Sequence, residues 1–226
     1  MAKKTIRSRR REESLTRERI IDAAIKLLDI SGESGLTFRA LSEHLATGAG
    51  AIYWHIANKG DLLTAACDAI IARTMETHAT RTTPKVAIRA VALGMFDAID
   101  AHPWVGSTLI RAELQSPMVR VVERIGQQVR ALGVPKEKQW AAVSALFSYI
   151  LGVGGQNAAN RHLARTRGLD RGDFLEAMST VWSQLNPEEY PFVHSAAGQL
   201  RTHDDRVDFL TGIDLILKGI DSQQRR

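Results

Sequence analysis

The sequence predicts an all-α protein of two helical domains, and three observations carry that reading. Apolar residues recur at three- and four-residue spacing along most of the chain, which places them on one face of a helix. No stretch makes a convincing strand. The chain has 226 residues, 44% of them hydrophobic, which is too long for one small helical domain and suits two fused ones. No run approaches the ~20 apolar residues of a membrane span. The N-terminus is basic without an apolar segment behind it, so it does not read as a secretory signal. A single cysteine, Cys67, leaves no internal disulfide and no cysteine-based zinc cluster. A cytoplasmic protein is expected.

Net charge is only +5, but its distribution is uneven. Lys3, Lys4, Arg7, Arg9, Arg10 and Arg11 crowd the first residues. Residues 1–15 read as a basic, solvated arm that can gain order on phosphates or in a minor groove.

The elements follow in order. Thr16 suits an N-cap, with Leu15 and Ile20 at the positions of a hydrophobic staple. Ile20, Ile21, Ala24, Leu27 and Leu28 form a helical stripe that ends near Ser31-Gly32. Thr37 is the next N-cap, with Leu36 and Leu41 as its staple and Leu45 one turn further on. Thr47-Gly48 breaks this short helix, and Gly48 is expected to supply the backbone angles of a tight inter-helix turn. Ala49 to His55 makes a second short helix. Asn58 caps a longer one from Lys59 to about His78, with Asp61 in the capping-box position. Two short helices joined this tightly are a helix-turn-helix, and the first helix supplies the core they lack.

Pro84 disfavours helix at Thr83 and suits the first turn of a helix running to Ala101, which His102-Pro103 ends. Trp104 to Glu113 forms a short helix, and Ser116-Pro117 caps one from Met118 to Leu132. Gly133 to Pro135 breaks the chain. A long helix starts at Lys136 and reaches the Asn160 region, followed by Asp170 to Leu185. Asn186 to His203, with Pro187 and Pro191, reads mostly as loop. The last helix, Asp204 to Asp221, carries an apolar set too wide for one ordinary stripe. Burial against its own domain and a second copy would account for it.

The stretch LTFRALSEHL followed by YWHxxNKxxLL, at residues 36–63, closely resembles the DNA-binding segment of the tetracycline-repressor (TetR) family. DFLTGIDLILKGI near the end resembles the C-terminal helix of the same regulators, and the middle is similar only in helical layout. The resemblance implies a three-helix head (16–58), a connecting helix (59–78) and a ligand-binding and dimerisation domain (79–226). It implies a homodimer joined through the long helix near 136–160 and the last helix, 204–221. Two heads related by a two-fold axis would read a palindromic operator, and a small-molecule effector would release it. The connecting helix would act as the lever.

Arg39 faces out and has a fork that can pair with O6 and N7 of guanine. By resemblance, Tyr53 and Lys59 are phosphate contacts, and Trp54 and His55 lie between groove and head core. Thr37, Thr47, Ala49, Gly50 and Ala51 complete the expected DNA face. The recognition helix is unusually bare. Ala49, Gly50 and Ala51 stand where the tetracycline repressor has polar, base-reading side chains, so specificity leans on Arg39, apolar contacts, the arm and DNA shape.

Phe96, Trp104, Arg111, Met118, Phe147, Gln156 and Asn157 are candidates for an effector pocket, since such pockets form between bundle helices. No metal and no cofactor are expected. Met75 stands where the tetracycline repressor has a histidine at the end of its fourth helix, so a tetracycline–magnesium site is not supported, with His78 the nearest alternative. Gly152-Val153-Gly154-Gly155 lacks the GK[ST] ending of a phosphate loop and reads as room for close helix approach. Cys67 reads as buried core rather than a sensor. The histidines and serines lie in no HExxH or GxSxG setting. A helical enzyme is therefore the weakest alternative, and a DNA-architectural protein without effector the nearer one.

Overall fold

The computed structural model describes residues 15–76, 82–111 and 116–224. Those residues form helices and connecting turns with no strand among them, which is the predicted all-α class. The basic arm and His78 lie outside the described residues.

The chain divides into two compact units, 1–77 with 104–120, and 78–103 with 121–226. The sequence-based boundary at residue 79 does not anticipate that residues 104–120 group with the head.

In the first unit, α1 (Arg17–Gly35) opens with the Thr16 hydroxyl accepting from the Arg19 amide at 3.2 Å. Its regular part ends at Gly32, which takes φ +64° and turns the chain into a last short bend. Ile20, Ala24 and Leu28 are fully buried along its inner face. Thr37 caps α2 (Phe38–His44) by accepting from Ala40 at 3.0 Å. After α3 (Ala49–Tyr53), the Asp61 amide donates to Asn58 Oδ1 at 2.9 Å and opens α4 (Lys59–Glu76). The Asn58 amide returns a 3.0 Å bond to the Asp61 carboxylate, closing the predicted box with side chains. Leu41, Ile52, Leu62, Ala66 and Ile71 complete the core around α1. The short α6 (Trp104–Arg111) packs on α1 and α4.

The turn between α2 and α3 differs from expectation at one residue. Ala46, not Gly48, takes the left-handed conformation, at φ +50°. Thr47 donates to the Ser42 carbonyl and Ala46 to that of Glu43, which is a Schellman closure. Gly48 is extended and precedes α3 as its N-cap. The left-handed position is set by where α2 runs out of partners, so an alanine accepts a strain that glycine would avoid.

The second unit packs α5 (Pro84–Ala101), α8 (Lys136–Thr166) and α11 (Asp205–Gln224) against one another. Thr83 and Pro84 start α5 as predicted. Helix α7 (Ser116–Ala131) buries Val121, Ile125 and Val129 at four-residue spacing. Phe209 stacks on Phe96 at 4.7 Å and on Tyr149 at 5.6 Å between ring centroids. Two glycines permit these approaches. A Cβ on Gly154 would lie 3.0 Å from Ile99 Cδ1, and one on Gly212 only 1.9 Å from the Tyr149 hydroxyl. Gly152 and Gly155 have open space instead, so only one glycine of the predicted cluster serves helix approach.

Asp170 caps α9 (Arg171–Ser183). The stretch 186–203, expected mostly as loop, instead holds α10 (Pro191–Ala196) and a 3-10 segment (Ala197–Thr202). Both pack on α9, and Ala197 is buried. Tertiary contact rather than local apolar pattern makes this stretch helical. At α11, the Asp204 carboxylate accepts from the amides of Arg206 and Val207. Those bonds hold its pKa below the ordinary value.

Candidate nucleic-acid interface

Helices α2 and α3 present a concave surface lined by Arg39, Ser42, Glu43, Ala46, Thr47, Gly48 and Ala49. Position in the fold explains each contributor. Leu41 and Ile52 point inward and are fully buried, so the opposite faces of both short helices are free. Arg39 lies on that face with its side chain 89% exposed, and its Nε donates to Glu43 Oε1 at 3.0 Å. Ala49 and Gly50 are exposed, and a Cβ on Gly48 or Gly50 would meet nothing within 4 Å. A short helix bare of side chains lets its backbone come close to a groove wall.

Tyr53 ends α3 half-exposed, its ring stacked on Phe38 at 4.4 Å with an interplanar angle of 5°. That stack fixes the phenol while leaving its hydroxyl end in water. Trp54 is 90% exposed and His55 is exposed too. Both side chains are thus on the outer surface of the head. The core contact there is made by Ile52 and Ile56.

Lys59 is half-buried and its ammonium donates to the Glu33 carbonyl. The same carbonyl also accepts from the Leu36 amide at 3.3 Å, so the ammonium is its second donor, and a cation at the carbonyl end of α1 complements the helix dipole. The sequence signal for this bond is weak, because the partner is 26 residues away. Lys59→Ala is therefore expected to destabilise the head by about 0.5–1 kcal/mol, besides weakening DNA binding. Equal thermal unfolding of variant and parent would contradict the capping role.

The residues considered for an effector pocket separate. Trp104 and Arg111 lie in the first unit, where the indole N–H donates to Asp29 at 2.8 Å and the guanidinium pairs with Glu33. Met118 and Phe147 are half-buried. Gln156 and Asn157 come together in a cleft of about 260 Å³ with Tyr149, Val153, Asn160, His203, Asp205, Asp208 and Phe209. Phe96 is behind it, stacked on Phe209. Asn157, 6% exposed, donates to Asp100 at 3.3 Å, and Arg161 pairs with the same carboxylate. His203 lies between Asp205 (3.0 Å) and Asp208 (2.6 Å). Burial, and then Asp208, raises the Tyr149 pKa. Among the described residues no group of three or more His, Cys, Asp or Glu side chains is placed to hold a metal ion, and Met75 is buried.

Comparison with known proteins decides the family. The pattern of bacterial regulatory proteins of the tetR family matches residues 20–66, and that of the tetracyclin repressor-like C-terminal domain matches residues 85–224. The chain belongs to the TetR family. Among solved TetR structures, the transcriptional regulator SCO7222 from Streptomyces coelicolor is 49% identical, with a TM-score of 0.85 over 93% of this chain and 100% of that one. The transcriptional repressor DrrR1 of Streptomyces coeruleorubidus is 24% identical over 95% of this chain and 80% of its own. The fold is shared by ActR of Streptomyces coelicolor, solved in complex with actinorhodin, at 20% identity and a TM-score of 0.76 over 94% of this chain and 100% of that one. The TetR-family relatives are transcriptional regulators, and this chain is one by membership. No described helix is long and apolar enough to cross a membrane.

Proposed function

We propose that this TetR-family regulator is a repressor that binds a palindromic operator as a homodimer and is released by a small molecule. The observation that carries the DNA reading is the composition of the exposed face of α2 and α3. One exposed arginine, paired only with Glu43, an aromatic pair and a histidine surround a helix start, Ala49 to Ile52, with no polar side chain. Arg39 reads guanine, Tyr53 and Lys59 meet phosphates, and Ala49, Gly50 and Ala51 admit the backbone to the groove, with Thr37, Thr47, Trp54 and His55 around them.

Dimerisation through α8 and α11 is supported by apolar groups left uncovered there. Trp140 is 70% exposed and Leu215 63%. A cleft of about 410 Å³ between the two helices is lined by Val134, Ala141, Ala142, Ala145, Ile216 and Ile220 among others. Two such faces back to back form a four-helix interface. The effector is bound in the domain from residue 79 onward, where Gln156 and Asn157 border the polar cleft and Phe96 backs its Phe209 wall. An effector that favours the DNA-incompetent conformation weakens the operator by the same coupling factor, typically 1–3 kcal/mol. The protein carries out no chemistry of its own, is cytoplasmic, and needs no metal or cofactor.

Fluorescence anisotropy with the DNA beside its own gene against scrambled DNA, over a salt series, tests this. A preference of ~10³ or more at physiological salt is expected. Salt-sensitive binding without preference would favour an architectural role. Within that assay Arg39→Ala is expected to cost about 1–3 kcal/mol at one base position and to relax preference there alone. A uniform loss on every sequence would remove Arg39 from base reading.

A further inference from the structure

We propose that Glu43 is a positioning residue for base recognition, holding the Arg39 guanidinium so that its two terminal nitrogens face the groove. The proposal rests on the reading of Arg39 as a base contact.

The geometry is specific about which nitrogen is used. Arg39 Nε donates to Glu43 Oε1 at 3.0 Å, and among the described residues neither Nη donates to a protein acceptor. Guanine offers O6 and N7 to a pair of donors in a fork. With Nε engaged, the fork that remains is the end-on one, formed by Nη1 and Nη2. An arginine without this restraint can present Nε and one Nη side-on, or swing to a phosphate.

Helix stability does not account for the pair. Arg39 is in the first turn of α2 and Glu43 in its last. A cation near the N-terminus and an anion near the C-terminus both oppose the helix dipole. The order is also the weaker one for an i,i+4 pair, in which the acid is better placed first. Both side chains are largely exposed, at 89% and 66%, where ion pairs contribute little. A carboxylate on a surface that meets phosphates further opposes binding in general. Glu43 thus works against both the helix and non-specific affinity, and it lines the same concave surface as Arg39. What it supplies is orientation. The need for it is acute here because Ala49, Gly50 and Ala51 offer no second polar side chain to take over the base contact.

The test compares Glu43→Ala, Glu43→Gln and Arg39→Ala on the operator, on the operator with guanine replaced by adenine at the Arg39-dependent position, and on scrambled DNA. Glu43→Ala is expected to reduce the guanine preference about tenfold while raising affinity for scrambled DNA. Damage to the fold would lower both, so the opposite movements mark a positioning role. Glu43→Gln keeps an acceptor for Nε and is expected to restore most of the preference. In the Arg39→Ala background, Glu43→Ala should change preference no further. An unchanged guanine preference in Glu43→Ala, or an equal loss without Arg39, overturns the role of Glu43 alone. A full preference in Arg39→Ala overturns the reading of Arg39 and this proposal with it.

Discussion

Phe209→Ala is expected to destabilise the second unit by about 3–5 kcal/mol, lowering its melting temperature by roughly 6–20 °C. The ring is 1% exposed and sits between Phe96 and Tyr149, so truncation leaves a void faced by two aromatic rings. Rigid helices on both sides limit collapse into that void, because Tyr149 is confined by the backbone at Gly212. The Tyr149 hydroxyl also donates to the Phe209 carbonyl at 3.3 Å, a bond that survives in alanine and keeps α11 in register. Calorimetry of the variant reads the effect directly. A loss under 1 kcal/mol would mean that Phe209 is not the centre of that core.

The second large effect is alkaline. Cys67 is fully buried on α4, and burial, helped by Asp68, pushes its thiol up from 9.0 to about 12. The folded chain keeps that proton where the unfolded chain releases it. Stability is therefore fully present below pH 9 and declines between about pH 9 and 12, as ionisation favours the unfolded state. The full window is on the order of 3–4 kcal/mol. Lysines and tyrosines titrate there too, so the quantity to measure is the difference between wild type and Cys67→Ala. At pH 8 the variant is the less stable by its lost packing. That deficit should shrink and then reverse toward pH 11. Parallel pH profiles would show that the thiol does not titrate in this window. The same burial makes Cys67 inert to thiol reagents at neutral pH, which fits packing and not redox sensing.

Local rules carried most of the architecture. The caps read at Thr16, Thr37 and Asn58 all hold, and Pro84 opens its helix, because a helix start is decided by three or four neighbouring residues. What could not be read depends on partners far along the chain. Lys59 meets Glu33, Arg111 also meets Glu33 from 78 residues away, and Trp104 meets Asp29. No periodicity announces such pairs, so Trp104 and Arg111 looked like pocket residues when they join α6 to α1. Residues 191–202 failed for a related reason, since their helical form comes from packing on α9. At the proposed DNA face the motif supplied the candidate residues. It did not supply their arrangement, because the stack of Tyr53 on Phe38 and the bond from Arg39 to Glu43 are matters of geometry.

The exposure of Trp54 gives the head an optical property. The chain has four tryptophans. Trp104 is buried and hydrogen-bonded, Trp182 is half-buried, and Trp140 is exposed on α8, in the second unit. Trp54, at 90% exposure, is the indole of the head that water and soluble quenchers reach most freely. Its emission is expected to lie to the red of that from Trp104 and to fall with iodide before it. With Trp140 replaced by phenylalanine, red-edge emission reports on the tip of α3, and its shielding from iodide registers occupancy of that surface without an added dye.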